Sequence, residues 1–210
     1  VIADAFAEVG LAHVLCLELS DRDGPDAAAA GLAETARYLA SGRPALVGLH
    51  ASFTVGDQLL AAAVDLARSH DTGLHLHVAE DRVDQDRCLA DHGCRVVERL
   101  ARAGALDLPG TLLVHGLHLD DAERAAVRAS GAWVVQNPES NQNNAVGRFR
   151  WEGIDPARVL VGTDGLHGDM LRSARAAFLA GQQEGVEPAR AWGLLARNRA
   201  YVAQRTGWVE

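Results

Sequence analysis

Residues 74–80 read LHLHVAE, preceded by Gly73 and followed by Asp81. Leu74, Leu76 and Val78 alternate with His75, His77 and Ala79, a period of two that predicts a strand with both imidazoles on one face. Glu80 falls where that strand should give way to a loop. An imidazole taken out of water needs a hydrogen-bond partner or a metal ion to offset its desolvation. Two of them beside a carboxylate mark this strand end as a candidate site.

Other apolar runs end the same way. HVLCLEL (13–19), PALVGLH (44–50), GLHLHVA (73–79), TLLVHGL (111–117), AWVVQN (132–137) and RVLVGTD (158–164) each predict a strand. Their polar ends are Glu18, His50, His77, His115, Gln136 with Asn137, and Asp164. Helical patterns occupy 25–40, 55–69, 82–103, 120–130, 169–184 and 188–205; Thr54 is the expected cap of the second, the third breaks near His92-Gly93, and Gly131 is the expected C-cap of the fourth. Strand starts lie roughly 20 to 40 residues apart, the spacing of parallel strands joined by helical crossovers. An open doubly wound sheet and a barrel both fit that alternation. A Rossmann-type sheet calls for a glycine-rich phosphate loop after its first strand, and no GxGxxG or Walker sequence occurs. In a barrel, all strand C-termini surround one mouth, so the polar ends would converge. The expected fold is therefore α/β: a (β/α)8 TIM-type barrel with about six of its eight βα units present.

Composition narrows the partners. With 210 residues, 48% of them hydrophobic and 23% charged, the chain has the makeup of a soluble globular protein. No apolar run approaches the length of a membrane span and no signal-peptide order opens the sequence, so no membrane partner and a cytoplasmic location are expected. A net charge of −8 without a clustered basic stripe argues against nucleic acid and leaves small molecules as ligands. Cys16, Cys88 and Cys94 are odd in number and lack zinc-knuckle spacing, which reads as reduced thiols.

His77, His115 and Asp164 end three different strands. Two imidazoles and a carboxylate suit Zn2+ or Fe2+, and no cysteine set is present to close a structural zinc site. A divalent ion held there would bring the pKa of a bound water down to about 7. Glu80, three residues past His77, would carry a proton from water to substrate. Taken singly, each has a plainer reading: a hydrogen-bonded core histidine, an aspartate in a TDG turn, a helix N-terminal acid. Recurrence in phase with the strands outweighs those readings. His75 lies one pleat deeper, where hydrogen-bonding support and ligation stay equally open.

GLHASFT, HLHVAED, LLVHGLHLDD, VVQNPESNQNNAVG and VLVGTDGLHGDM, in that order, resemble the amidohydrolase superfamily in its branch of cytosine, guanine and thiomethyladenosine deaminases and triazine chlorohydrolases. The NPESNxNNAVG and GTDGxxxDM elements resemble those of SsnA-type aminohydrolases. The resemblance implies that residue 14 begins about the third barrel strand and that Asp164 ends the eighth. It implies that His77 is the fifth-strand metal ligand, Glu80 the proton-shuttling acid, and Asp164 a carboxylate that both ligates metal and accepts a proton. His115 matches the sixth-strand histidine that bonds the attacking water or substrate, a ligand in two-metal relatives, and His50 matches a substrate contact. His50 stands where binuclear relatives place a carboxylated lysine, so the resemblance implies one divalent metal, with Zn2+ expected ahead of Fe2+.

The activity implied is hydrolysis of an amidine-like C–N bond in a small heterocycle, releasing ammonia. Hydrolytic dechlorination on the same scaffold is the alternative, and an inactive barrel fragment the third. A homodimer is compatible with all three. Polynucleotide deamination is not, because the HxE with PCxxC signature is absent. Arg148 and Arg150, in the loop 137–151, are candidate substrate contacts that also read as an ordinary polar loop. Three departures stand out: the first-strand HxH is absent, Gln136 replaces the histidine of HNPxSN, and the C-terminal GxLxxGxxADLVV segment is missing. Residues 1–210 are thus expected to be one partial metal-dependent hydrolase barrel domain, an internal fragment of a longer enzyme, inactive alone.

Overall fold

The computed structural model describes residues 2–208. Six strands, β1 (Glu18–Leu19), β2 (Val47–Ala51), β3 (Leu74–Val78), β4 (Leu112–His115), β5 (Trp133–Gln136) and β6 (Val159–Val161), form one sheet in the order of the chain. Every neighbouring pair is parallel. Among the described residues, nine α-helices accompany them: α1 (Ile2–Glu8), α2 (Pro25–Ala40), α3 (Asp57–Ser69), α4 (Arg82–His92), α5 (Val96–Arg102), α6 (Asp121–Ala129), α7 (Pro138–Asn143), α8 (Met170–Gly181) and α9 (Pro188–Thr206). The strand order never reverses. Reversal is what makes a doubly wound sheet; winding in one direction keeps all crossovers on one face and curls the sheet toward a barrel. Six consecutive βα units of a barrel are therefore present, as expected.

The two faces of the sheet bury different clusters. Leu74, Leu76 and Val78 pack with Leu113, Val134, Val159 and Val161 beneath the crossover helices, whereas Val114, Val135 and Leu160 pack with Tyr201 of α9 on the opposite face. His75 and His77 share that second face, as the period of two requires. On the free edge of β6, the Asn198 side chain accepts from the Val161 N–H at 3.1 Å and donates to its carbonyl at 2.6 Å, pairing backbone groups a further strand would otherwise take.

Several boundaries differ from expectation. The first strand shrinks from 13–19 to two residues plus an isolated Leu15–Ala45 bridge. The Leu17 carbonyl crosses so close to Gly48 that a Cβ there would lie 2.3 Å from it, and the ladder breaks where the chain bows over that glycine. α3 starts at Asp57; Thr54, the expected cap, instead places Oγ1 2.7 Å from His50 Nδ1. Gly131 is not left-handed, because Ser130 already leaves α6 in an extended conformation. The break at Gly93 holds, with φ of 66°. The expected helix 169–184 resolves into α8 and a 3-10 turn, Gln182–Glu184. α1 and α7 were not expected. Among the described residues, no helix is long and apolar enough to cross a membrane.

Candidate metal site at the strand ends

The polar ends of β3, β4 and β6 meet. The His77 and His115 rings lie edge to face with centroids 5.1 Å apart. Glu80 Oε2 stands 3.5 Å from His115 Nε2 and 3.9 Å from His77 Nδ1, and Asp164 Oδ2 stands 3.8 Å from the same His115 nitrogen. One donor atom from each of His77, Glu80 and His115 falls within 4.8 Å of the others. His50 flanks the group, its ring centroid 5.5 Å from that of His77, and His75 lies deeper at 6.3 Å.

Backbone strain is concentrated here. Ala79, His115 and Asp164 have φ of 49°, 72° and 55°, a region that costs a non-glycine residue on the order of 1–3 kcal/mol and that surrounding bonds must hold. Register pairs His115 with helix-facing Val78, so strict alternation would send its ring away from the mouth; the left-handed turn brings it to His77. The Ala79 N–H donates to Asp84 Oδ2 at 2.7 Å, its carbonyl accepts from Leu117 and His118, and the Val78 carbonyl accepts from Gly116. The ends of β3 and β4 are thereby stitched together.

α7 supplies the remaining constraints. His115 Nδ1 lies 2.8 Å from Asn141 Oδ1, and because an amide oxygen only accepts, that nitrogen carries the proton. Nε2 is the nitrogen left to face the site. It is buried without a hydrogen-bond partner among the described residues and faces the oxygens of Glu80 and Asp164. A nitrogen beside two carboxylates calls for a proton or a cation among them, and imidazoles converging with carboxylates are a donor set that fits a divalent metal. Ser140 Oγ donates to Asp164 Oδ2 at 2.6 Å, and the Gly165 N–H donates to Oδ1 at 2.7 Å.

Electrostatics keep the nitrogens available. Burial first, then the neighbouring His115, His75 and His50, lower the His77 pKa to about 4, so its ring is neutral at physiological pH. Burial likewise lowers His75 and His50. For Asp164, burial pulls upward, but the bonds from Ser140 and Gly165 and the nearby His115 and His77 outweigh it and hold the carboxyl below its usual range. Asp84 moves the other way, pushed by burial up to about 6.

The roles of Ser140, Asn141 and Asp84 were not foreseen. Pro138 at the first helical position was the one local sign of α7. Gln136, which stands in place of the histidine of HNPxSN, is 2% exposed, and alternation with Val135 places it on the helix-facing side. Arg148 and Arg150 line an outer cleft of about 1000 Å3 with Arg82 and His118, a cleft lined by none of the five candidate site residues.

A model of the Amidohydrolase family matches residues 10–195. The chain belongs to the amidohydrolase family. It is 31% identical over 176 residues to the 5-methylthioadenosine/S-adenosylhomocysteine deaminase of Desulforudis audaxviator (strain MP104C), covering 78% of this chain and 40% of that protein. It is 34% identical over 173 residues to the 5'-deoxyadenosine deaminase of Methanoregula boonei (strain DSM 21154 / JCM 14090 / 6A8), covering 78% and 39%. Among solved structures, an adenosine deaminase from Xanthomonas campestris with bound zinc superposes with a TM-score of 0.78 at 24% identity, over 98% of this chain and 50% of that one. A guanine deaminase from C. acetobutylicum with bound guanine gives 0.79 at 14% identity, over 97% and 55%. Both share this amidohydrolase chain's fold. The chain spans about 40% of the length of these curated relatives and about half of the solved chains.

Proposed function

We propose that the complete polypeptide containing this amidohydrolase chain hydrolyses an exocyclic C–N bond of a small aminated heterocycle. The observation that carries this reading is the convergence of two imidazoles and two carboxylates at the ends of β3, β4 and β6, with the unpartnered His115 Nε2 at its centre. The relatives bear the names of purine nucleoside and base deaminases, so aminopurines are the first substrate class to consider.

His77 and Asp164 would hold the metal, Zn2+ ahead of Fe2+, with His115 beside them. When bound, the cation supplies Lewis acidity that makes water nucleophilic near neutral pH. Glu80 takes the proton from the attacking water and delivers it to the ring nitrogen next to the attacked carbon, so that the C–O bond forms as the C=N electron pair moves onto nitrogen. Asp164, ionised because its carboxyl is held low, accepts the second water proton. Return of a proton to the exocyclic nitrogen then lets the C–N bond break and ammonia leave. His115 Nε2 accepts a hydrogen bond from the attacking water. His50, with Nδ1 engaged by Thr54, keeps Nε2 for the substrate.

The test is a screen of the zinc-loaded complete protein against aminopurines, aminopyrimidines and amino- or chlorotriazines, reading ammonia and chloride. Ammonia release that falls about 100- to 10,000-fold in Glu80→Gln supports the reading. Chloride release alone, or activity indifferent to that substitution, overturns it.

A further inference from the structure

We infer that Glu139 is a positioning residue for the reaction, tethering the segment 165–169 that follows Asp164; the inference rests on the function proposed above. Three consecutive residues of α7 make three different contacts. Asn141 fixes His115, Ser140 fixes the Asp164 carboxylate, and Glu139 reaches past both to the segment beyond. A helical step of about 100° per residue is what aims neighbours at three separate targets.

The segment has little else to hold it. A Cβ on Gly165 or Gly168 would meet nothing within 4 Å, and Leu166 is 47% exposed. Its one well-covered side chain is His167. Glu139 Oε2 accepts from His167 Nε2 at 2.7 Å, and Oε1 accepts from Arg172 Nε in the first turn of α8 at 2.6 Å. His167 Nδ1 in turn accepts the Asp169 N–H at 3.1 Å, while Asp169 caps α8 through the Arg172 N–H. Both carboxylate oxygens of Glu139 and both ring nitrogens of His167 are thus used, and the imidazole works as a strut with one assigned tautomer. Asp164 sits at the start of this strut in a left-handed conformation that its own bond to the Gly165 N–H does not by itself secure against motion of the following residues.

Glu139→Gln leaves one acceptor and sets an amide N–H against one of the two donors. In the complete zinc-loaded protein, kcat should fall about 10- to 100-fold with KM unchanged, because orientation of Asp164 is lost and substrate contacts are not. His167→Ala should do the same, and the double variant should be no worse than the poorer single, as expected for residues acting through one contact. Glu139→Asp, which keeps the charge but withdraws it by one methylene, should show the same pattern in milder form. Independently of activity, hydrogen exchange of the metal-free protein should speed about tenfold or more at amides 165–169 in Glu139→Gln, with β3 and β4 unchanged. Unchanged exchange at 165–169, a rise in KM in place of the fall in kcat, or exchange accelerated throughout the sheet overturns the inference. An unsubstituted protein that releases no ammonia would sink the proposed reaction while leaving the exchange result to decide the tether.

Discussion

Replacing Ser140 with alanine removes one of two hydrogen-bond donors to Asp164, and the consequence has a sign as well as a size. The Ser140 hydroxyl is buried and 2.6 Å from a carboxylate oxygen. A bond to a charged group contributes about 1.5–3 kcal/mol, and the 29% exposure of the Asp164 side chain discounts that to about 1–2 kcal/mol. Because the folded carboxyl is held below the ordinary aspartate range, its contribution is fully present above that range and is lost as pH falls through the folded pKa. Part of that contribution belongs to Ser140. The stability gap between wild type and Ser140→Ala should therefore be about 1–2 kcal/mol at pH 7 and should narrow as pH is lowered below 4. Urea denaturation of the metal-free protein at a series of pH values reads it directly. A gap below about 0.3 kcal/mol at pH 7, or one that widens on acidification, would show that Ser140 does not support the ionised carboxylate.

Three further outcomes follow from other contacts. Asn141→Ala frees His115 Nδ1 from its acceptor and should lower kcat for ammonia release by the complete zinc-loaded protein about 10- to 100-fold without loss of zinc, whereas Asn141→Asp, which still accepts, should not. Asp84 runs opposite to Asp164: with its pKa pushed up to about 6, its contribution is fully present below the ordinary aspartate value of 3.8 and is lost as pH rises through 6. Asp84→Asn should therefore gain on the order of 3 kcal/mol relative to wild type between pH 4 and pH 7, read by denaturation at each pH. The 210 residues expressed alone are expected to hold zinc weakly and release no ammonia, since His77, Asp164 and neighbouring His115 are few ligands for a tight site; turnover close to that of the complete protein would refute this.

Much of this architecture was legible from spacing. Alternation in LHLHVAE placed His75 and His77 on one face because period two is a local property of extended backbone. The recurrence of polar strand ends anticipated their convergence because parallel strands wound one way share a mouth. What escaped was non-local or lacked an apolar stripe. α7 is six residues of mostly polar side chains, so no periodicity announces it, and its contacts reach 26 residues back to His115 and 24 forward to Asp164. The truncation of β1 depends on the Leu17 carbonyl passing over Gly48, a meeting of segments 31 residues apart. His115 lies where alternation would turn it away, and only its positive φ, a consequence of the stitched loop, brings it to His77.

The reaction proposed here needs a single metal ion at these strand ends beside the chain's own carboxylates. Its most direct test is to strip the complete protein with a chelator and titrate Zn2+ back while recording ammonia release from its heterocyclic substrate. Activity that rises to a plateau at about one equivalent of zinc per chain, and does not return in His77→Asn, is the expected result. Full ammonia release from protein holding less than about one-tenth of an equivalent of any divalent metal would contradict it.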